Sequence, residues 1–299
     1  MFWLGKNCFR GTYTAIITPF NADETVDYSA LEKLIEFQIS AGVAGIVPCG
    51  TTGESPTLDY EEHEKVIEFI IEKVKGRVFV IAGTGSNCTK EAIEMTQAAE
   101  KAGANAILSV NPYYNKPTQE GLYLHFKAIA NSTALPVIVY NIKGRTGVNV
   151  ETPTLLRLIK DCKNIVGVKE ASGDINQIRE VIDKSPEEFC VLSGDDNMTL
   201  ELIKSGGDGV ISVASNIVPK RVCELVTSAL NGKIAEATKI NEELMPLFKG
   251  CFIETNPIPV KFMLSQKKMC GEVYRLPMCE LSAEHKKETI ELMKKMSLL

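Results

Sequence analysis

The chain has 299 residues, 44% of them hydrophobic, and its 33 basic and 38 acidic residues leave a formal net charge of -5. A chain of this length and composition can bury a large core, and its charges form no basic stripe that would bind nucleic acid or an anionic membrane surface. Small molecules are therefore the expected partners, and binding to nucleic acid or to a membrane is not expected.

Several features of the sequence favour a cytoplasmic location. The first residues contain no apolar run typical of a signal peptide, and no apolar segment approaches the ~18 residues of a membrane span. Nine cysteines without Cys-x-x-Cys spacing suit a reducing compartment. With only three histidines, a histidine-rich metal site is not expected. The sequence predicts neither a metal ion nor a cofactor.

Short apolar runs alternate with longer amphipathic segments along the chain, which is the pattern of repeated βα units around a parallel sheet. The runs are continuously apolar, as is typical of strands buried on both faces. The predicted strands are residues 12–18, 45–48, 78–82, 106–110, 137–141, 166–170, 190–194 and 209–213.

Between these strands, apolar residues recur at the spacing of amphipathic helices, for example over residues 28–40 and 61–74. The chemistry of the expected helix ends agrees with this pattern. Thr89 is predicted to be an N-cap. Three glycines follow helices at positions where a left-handed C-cap is expected, namely Gly42, Gly76 and Gly103.

Eight βα units predict a closed (β/α)8 barrel, the TIM barrel, as a catalytic domain over residues 1–230. Residues 231–299 are predicted to form a C-terminal helical region packed on the barrel. No Pro/Ser-rich or low-complexity linker separates the two segments, so the tail is expected to be an integral appendage.

Barrels of this kind collect chemistry at the C-terminal ends of their strands. Lys169 ends the sixth predicted strand, and Tyr140 lies at the end of the fifth. Burial disfavours the ammonium form of a lysine, so that its free amine can attack a carbonyl, and a nearby tyrosine can move the protons. Each residue also has a structural alternative, because lysines often flank strands and most strand tyrosines pack in the core.

The turn after the second predicted strand reads Gly50-Thr51-Thr52-Gly53-Glu54. Its N–H groups and two hydroxyls can bind a carboxylate, although an ordinary glycine-rich turn is an alternative interpretation. It is not a nucleotide-binding loop, since no Gly-Lys-Ser or Gly-Lys-Thr follows. Cys49 directly precedes the turn, but no histidine lies near it in sequence to activate it as a nucleophile.

These residues together resemble the dihydrodipicolinate synthase branch of the N-acetylneuraminate lyase superfamily of Schiff-base aldolases. The similarity spans nearly the whole chain and rests on several motifs in order. They are Gly11-Thr12, Thr18-Pro19-Phe20, Gly50-Thr51-Thr52-Gly53-Glu54-Ser55, Asn111-Pro112-Tyr113-Tyr114-Asn115-Lys116-Pro117, Tyr140-Asn141, Arg145-Thr146-Gly147, Val168-Lys169-Glu170, Ser193-Gly194-Asp195-Asp196 and Asn256-Pro257-Ile258-Pro259-Val260-Lys261.

The resemblance implies condensation of pyruvate with L-aspartate 4-semialdehyde, on the diaminopimelate and L-lysine pathway, through a Schiff base on Lys169. It implies that Tyr140 relays protons within a hydrogen-bonded triad formed with Thr51 and Tyr114. Tyr114 would come from a neighbouring subunit of a homotetramer built from two tight dimers. Plain interface packing is the alternative interpretation of Tyr113 and Tyr114.

For substrate binding, the resemblance implies that Thr52 holds the pyruvate carboxylate and Arg145 positions the semialdehyde. The backbones of Gly194 and Ile211 would line the pocket. Ile142-Lys143-Gly144 precedes Arg145 where many family members carry a proline, so the loop lacks a proline's rigidity. The preorganisation of Arg145 is therefore left open by the sequence.

Feedback inhibition by L-lysine is a further implication of the resemblance. The residues that correspond to the family's interface lysine site are Ser55, Pro56, Tyr60, His63, Asn87, Glu91 and Tyr113. Glu91 and Asn87 could bind an ammonium group, although Glu91 is also explained as an acid favoured at a helix N-terminus. Tyr60 replaces the histidine of some lysine-sensitive members.

Another aldolase on the same scaffold is the main alternative, either an N-acetylneuraminate lyase or a 2-keto-3-deoxy-sugar-acid aldolase. A barrel with a reactive lysine fixes the covalent intermediate but not the electrophile. Arg145 favours the synthase, because its guanidinium can bind a carboxylate through two hydrogen bonds. A non-catalytic barrel would be expected to have lost Lys169, Tyr140 or the threonine pair.

Overall fold

The computed structural model describes residues 9–299, in which eight parallel strands form a closed barrel in sequence order. This confirms the predicted TIM barrel. The strands are β1 Gly11–Ala15, β2 Gly45–Val47, β3 Phe79–Gly83, β4 Ala106–Val110, β5 Val137–Asn141, β6 Ile165–Glu170, β7 Cys190–Ser193 and β8 Gly209–Ser212.

The predicted strand bounds differ from these by at most one residue, except at the end of β1. The sequence places that strand over residues 12–18, but it ends at Ala15. Beyond it, the backbone N–H of Ile17 donates to the Asn216 side-chain oxygen at 3.2 Å rather than to a neighbouring strand. From Ile17 onward, the residues past β1 therefore lie in the core outside the sheet.

Helices follow the strands around the barrel and continue beyond it. They are α1 Tyr28–Ser40, α2 Tyr60–Val74, α3 Thr89–Ala102, α4 Gln119–Asn131, α5 Lys143–Thr146, α6 Thr152–Asp161, α7 Ile175–Lys184, α8 Thr199–Lys204, α9 Pro219–Leu230, α10 Ile234–Gly250, α11 Ile258–Gln266 and α12 Ala283–Lys295. Short 3-10 turns lie at Ser55–Thr57, Asp196–Met198 and Ala214–Asn216. Among residues 9–299, no helix is both long and apolar enough to cross a membrane.

One helix cap differs from the prediction. The N-cap of α3 is Cys88, and Thr89 is the first residue inside the helix. The Thr89 hydroxyl instead forms a 2.9 Å hydrogen bond with Nδ1 of His125, which gives this polar group a partner on the neighbouring α4. The three predicted C-terminal glycines all have positive φ, 83° at Gly42, 71° at Gly76 and 96° at Gly103.

The apolar core has two layers, one inside the barrel and one between the barrel and its helices. Tyr140 belongs to the inner layer, and its register partner on β6 is Lys169. Partners in a parallel pair project from the same face of the sheet, so both side chains point into the barrel. Strand register therefore sets the two predicted reactive residues side by side at one rim.

The C-terminal helices α10, α11 and α12 lie beyond α9, which ends at Leu230. Helix α10 packs along α9, and α11 packs against the turn Ala214–Asn216 that follows β8. The segment between α10 and α11 thereby reaches the same rim of the barrel as the strand ends. These helices share one continuous core with the barrel. Within residues 9–299, no boundary in the core separates the two segments, so their division into a barrel domain and a helical region remains a prediction.

Candidate active site

Lys169 ends β6 and is 5% exposed, with its Nζ 4.0 Å from the centroid of the Tyr140 ring. Burial lowers the pKa of Lys169 to about 8, while the carboxylates of Asp195 and Asp196 act in the opposite direction. A surface lysine is almost entirely protonated near neutral pH. This amine has a far larger unprotonated fraction under the same conditions, as a nucleophile for carbonyl addition requires.

The two aspartates after β7 have different surroundings. Asp196 is buried, and its carboxylate accepts hydrogen bonds from Ser212 Oγ at 2.5 Å and from the N–H groups of Val213 and Ala214 at 3.0 and 2.9 Å. It therefore ties the end of β7 to the end of β8. Asp195 lines the cavity beside Lys169. Burial raises the pKa of Asp195, and the nearby ammonium group of Lys169 opposes that change.

Tyr140 is buried, and its phenol is hydrogen-bonded to the Thr51 side chain. Burial raises the pKa of Tyr140, which the positive charge of Arg145 and the Thr51 hydrogen bond partly offset. The phenol is therefore protonated at neutral pH and can donate its proton. Thr51 extends the hydrogen-bonded path toward the mouth of the site.

The turn that carries Thr51 and Thr52 is closed by its own backbone. Gly53 N–H donates to the carbonyl oxygen of Gly50, and Glu54 N–H to that of Thr51, each at 3.1 Å. Thr18 fastens the turn to the chain after β1, because its hydroxyl donates to the Gly53 carbonyl oxygen at 2.7 Å. The predicted carboxylate-binding turn is thus a rigid element at the barrel rim.

Asn256 connects the two groups that were predicted to bind carboxylates. Its side-chain amide donates to Thr52 Oγ1 at 3.0 Å, and its backbone carbonyl accepts from Arg145 Nη2 at 3.3 Å. The sequence motifs included Asn256 but gave it no role. The only available signal was an asparagine directly before a proline, outside the βα repeats, and that signal does not indicate which turn it contacts.

One cavity is lined by residues from seven of the eight strands or the loops that follow them, and by residues of the C-terminal segment. Gly194 lies in its wall, where a Cβ atom would sit 3.1 Å from Lys169 Cε and 2.6 Å from Ala171 Cβ, so glycine leaves space for the lysine. Ile211 is buried in the inner core, and Val213 contributes the β8 side of the lining. The polar lining residues are Thr51, Thr52, Tyr140, Arg145, Lys169, Asp195 and Asn256.

A wider cavity of about 240 Å³ lies beside the first and shares Thr51, Tyr140 and Arg145 with it. Tyr114 lines neither cavity. It is 90% exposed and has a left-handed φ of 73°. A single chain therefore brings Lys169, Tyr140 and Thr51 together but does not bring its own Tyr114 to them.

The family model described as the dihydrodipicolinate synthetase family matches residues 8–296. The chain belongs to this family. The match confirms both the resemblance inferred from the motifs and the predicted class of enzyme, a lyase that acts through a Schiff base.

Individual relatives cover almost the whole chain. The 4-hydroxy-tetrahydrodipicolinate synthase of Endomicrobium trichonymphae is 53% identical over 291 residues, which is 97% of this chain and 99% of that protein. The chloride-inhibited dihydrodipicolinate synthase of Acinetobacter baumannii, solved with pyruvate, is 44% identical with a TM-score of 0.95, over 97% of this chain and 99% of that one. The lysine-bound enzyme of Cyanidioschyzon merolae is 38% identical with a TM-score of 0.95, over 98% and 99%.

The residues predicted from the family's lysine site lie around the wider cavity. Ser55, Pro56 and Tyr113 line it directly. Asn87 adjoins them, because its side-chain amide donates to the Tyr113 carbonyl oxygen at 3.1 Å. His63 is buried beneath this surface, where its Nε2 lies 2.9 Å from the carbonyl oxygen of Gly83.

Glu91 and Tyr60 form the outer part of the same predicted lysine site. The Glu91 carboxylate is hydrogen-bonded to the Tyr60 side chain and accepts from Ser86 Oγ at 2.7 Å. Glu91 also lies in the first turn of α3, as the helix-terminus interpretation requires. The structure thus places a hydrogen-bonded carboxylate near the wider cavity. The position of Glu91 agrees both with a role in binding an ammonium group and with a role as an acid at the N-terminus of α3.

Cys49 is buried, and its thiol contacts the carbonyl oxygen of His63 at 3.7 Å, not the imidazole ring. Burial raises the pKa of the Cys49 thiol. A protonated thiol in such surroundings is a poor nucleophile, so the geometry does not support a catalytic Cys49. Within residues 9–299, no three His, Cys, Asp or Glu side chains are grouped to hold a metal ion.

Proposed function

We propose that the chain condenses pyruvate with L-aspartate 4-semialdehyde, the reaction of a 4-hydroxy-tetrahydrodipicolinate synthase, in diaminopimelate and L-lysine biosynthesis. The observation that carries this proposal is the buried Lys169 amine, with a pKa lowered to about 8, beside Tyr140. The pyruvate complex of the Acinetobacter baumannii relative supports pyruvate as the first substrate. A cytoplasmic location, which the cysteine pattern favours, is also part of the proposal.

In the proposed reaction, the Lys169 amine adds to the keto carbon of pyruvate, and the resulting carbinolamine loses water to form the imine. Loss of a proton from the methyl carbon gives an enamine, which attacks the aldehyde carbon of the second substrate. The aldehyde oxygen takes up a proton in that step. The amino group of the product then attacks the imine carbon, closes the ring and releases Lys169.

Each of these steps moves a proton, and Tyr140 is the closest candidate to move it. Its burial-raised pKa keeps the phenol protonated at neutral pH, and its hydrogen bond to Thr51 provides a path for exchange. Thr52 Oγ1 accepts from Asn256, which leaves the Thr52 hydroxyl proton to be donated to the pyruvate carboxylate. Arg145 at the rim would bind the carboxylate of the semialdehyde.

The experiment that tests this proposal is borohydride trapping with pyruvate, followed by intact-mass analysis and mapping of the modified peptide. We expect one adduct per chain at Lys169, none in Lys169→Ala, and consumption of the enamine by aspartate semialdehyde but not by N-acetylmannosamine. Labelling without semialdehyde turnover would favour the alternative, an N-acetylneuraminate or 2-keto-3-deoxy-sugar-acid lyase. No labelling would overturn the Schiff-base mechanism.

Assembly is a further part of the proposal. Tyr114 would complete the triad with Tyr140 and Thr51 from a neighbouring subunit, within a homotetramer of two tight dimers. Two observations support this arrangement: the exposed Tyr114 in a left-handed conformation, and the cavity of about 240 Å³ that opens onto Thr51. A tyrosine from a second copy would fill that space and reduce solvent access to the site.

Inhibition by L-lysine is proposed at the surface that includes Glu91 and Asn87. The lysine-bound Cyanidioschyzon merolae relative supports it, as does the proximity of this surface to Thr51 through the shared cavity. We expect millimolar L-lysine to slow turnover and Glu91→Gln to weaken inhibition at least about tenfold, because the ammonium group loses a charged partner. Glu94→Gln on the exposed part of α3 is the matched control. An unchanged rate at millimolar L-lysine would dismiss this regulation.

A further inference from the structure

A buried ion pair joins the C-terminal helices to the turn that carries Thr51 and Thr52. Lys261 Nζ donates to Glu54 Oε1 at 2.5 Å, and the two side chains are 0% and 1% exposed. Glu54 closes the turn after β2, whereas Lys261 lies in α11. Both residues belong to motifs of the sequence, yet neither has a part in the proposed chemistry.

Burying two charges is costly, so a pair of this kind is weak evidence for stability and is best explained by a role in fixing structure. The surroundings of Lys261 are aromatic, with Nζ 4.1 Å from the centroid of the Phe20 ring and 5.3 Å from that of Tyr274. Lys261 therefore provides Glu54 with a single oriented charged partner inside the protein.

The backbone of Glu54 is held in an unfavourable conformation, and the ion pair with Lys261 anchors the side chain of this residue. Its φ of 52° lies in the left-handed region, which residues other than glycine rarely adopt. The Glu54 N–H closes the turn on the carbonyl oxygen of Thr51 at 3.1 Å, and its own carbonyl accepts from Thr57 N–H at 2.9 Å. A change in the Glu54 backbone would therefore shift Thr51 directly.

The same C-terminal segment holds the turn at a second point. Asn256, shortly before α11, donates to Thr52 Oγ1. The two contacts lie on successive parts of one turn, one at the hydroxyl expected to bind a carboxylate and the other at the residue that closes the backbone. The C-terminal segment therefore contacts the turn both at Thr52 and at Glu54, the two points that set the positions of its hydroxyls.

We propose that Glu54 and Lys261 are a positioning pair, through which the C-terminal helices fix Thr51 and Thr52 for pyruvate binding and proton transfer. The roles of the two threonines rest on the proposed function. Neither charged residue touches the substrate in this scheme. Their effect is to hold the turn in the one geometry that serves both hydroxyls.

The test is the double variant Glu54→Gln/Lys261→Met, which removes both buried charges together. A single substitution would leave one uncompensated charge and destabilise the fold, whereas a neutral pair of similar volume is expected to fold. We expect the double variant to unfold near the wild-type temperature. We also expect its KM for pyruvate to rise at least about tenfold, with slower imine formation, because small displacements of positioning groups reduce rates strongly.

A second readout does not depend on activity. Hydrogen exchange measured by mass spectrometry should show faster exchange of residues 50–57 in the double variant than in the wild type. The matched control is Glu272→Gln/Lys286→Met, which removes a partly buried ion pair at 2.8 Å within the C-terminal segment, where neither side chain forms a hydrogen bond or ion pair with residues 50–57. The control should leave the KM for pyruvate unchanged.

Wild-type KM, imine formation and exchange in the double variant would overturn the inference. If the wild type formed no pyruvate adduct, the proposed function would fail, and the exchange of residues 50–57 would still decide whether the pair positions the turn. If the double variant does not fold, Glu54→Asp replaces it, because it keeps the charge but shortens the side chain by one methylene. The same KM and exchange measurements then apply.

Discussion

The lowered pKa of Lys169 results from burial, which the nearby carboxylates oppose. Desolvation is the largest influence on the amine and lowers its pKa, while Asp195 and Asp196 favour the ammonium form. The result is a pKa of about 8, close enough to neutrality for the free amine to be available and for the protonated form to be regained. The addition to a keto carbon uses the free amine, whereas the loss of water from the carbinolamine needs a proton donor to its hydroxyl group.

This balance predicts the pH dependence of imine formation. Below its pKa, Lys169 is protonated and cannot attack, so the rate of adduct formation should rise about tenfold per pH unit and level off near pH 8. An ordinary lysine would level off only near its reference pKa of about 10.4. The measurement is single-turnover imine formation with pyruvate, trapped by cyanoborohydride and quantified by mass.

The same experiment on Asp195→Asn tests the cause. Removing this carboxylate takes away a charge that stabilises the ammonium form, so the pKa of Lys169 should fall and the inflection should move to lower pH. Asp183→Asn, on the exposed part of α7, is the control and should leave the profile in place. A shift toward higher pH in Asp195→Asn would contradict this account of the site.

At the level of elements, α5 holds Arg145 without the proline that many family members carry before it. The Thr146 hydroxyl donates to the Ile142 carbonyl oxygen at 2.9 Å, and Gly147 ends the helix with a φ of 76°. Arg145 is further held by the Asn256 carbonyl. These hydrogen bonds fix the conformation of α5, as a proline does in many family members. Arg145 is therefore held in place although the segment Ile142-Lys143-Gly144 contains no proline.

Adding the proline should improve this element. Lys143 is the first residue of α5, where the backbone N–H has no partner within the helix and proline fits. We expect Lys143→Pro to raise the free energy of unfolding by about 0.4–1 kcal/mol and to lower the KM for the semialdehyde by about two- to fivefold. Thermal unfolding and steady-state kinetics measure both, with Lys143→Ala as the control for lost charge. A higher KM would show that Arg145 must move to bind its substrate.

The elements differ in how far the sequence predicts them. Lys169 and Tyr140 could be placed together because the ends of parallel barrel strands share one rim, so strand position alone brings them close. Asn256 and Lys261 could not be placed, since they lie outside the βα repeat and the docking of α11 on the barrel has no periodic signal. The hydrogen bond of Thr89 could not be predicted for the same reason, because its partner His125 belongs to another helix.

At the scale of the whole molecule, the candidate active site of one chain opens into the wider cavity beside it. Thr51 lines the cavity of about 240 Å³, while Tyr114 of the same chain does not line it and is 90% exposed. A two-fold symmetric contact would place the Tyr114 of each copy in the cavity of the other, since such contacts are reciprocal. Each active site would then contain residues from both chains, and activity would depend on assembly.

This arrangement predicts complementation between an inactive variant and an impaired one. Lys169→Ala lacks the nucleophile, and Tyr114→Phe should lose at least about tenfold in turnover, because its triad lacks one hydroxyl while imine formation remains possible. In a mixed dimer, one site combines the intact Lys169 of one chain with the intact Tyr114 of the other. Half of the dimers formed from an equal mixture are mixed, so about a quarter of all sites in that mixture, and half of the sites in the isolated mixed dimer, should be restored.

Co-expression with two different tags, followed by purification through both, isolates the mixed species for kinetic measurement. The control is Lys169→Ala with Tyr140→Phe, which should not recover activity, because both residues lie in the cavity of the same chain. Absence of recovery in the first mixture would mean that Tyr114 does not act across the interface. Recovery in the control would contradict the placement of Lys169 and Tyr140 in one site, so the pair of mixtures decides which residues a single chain supplies and which its neighbour must supply.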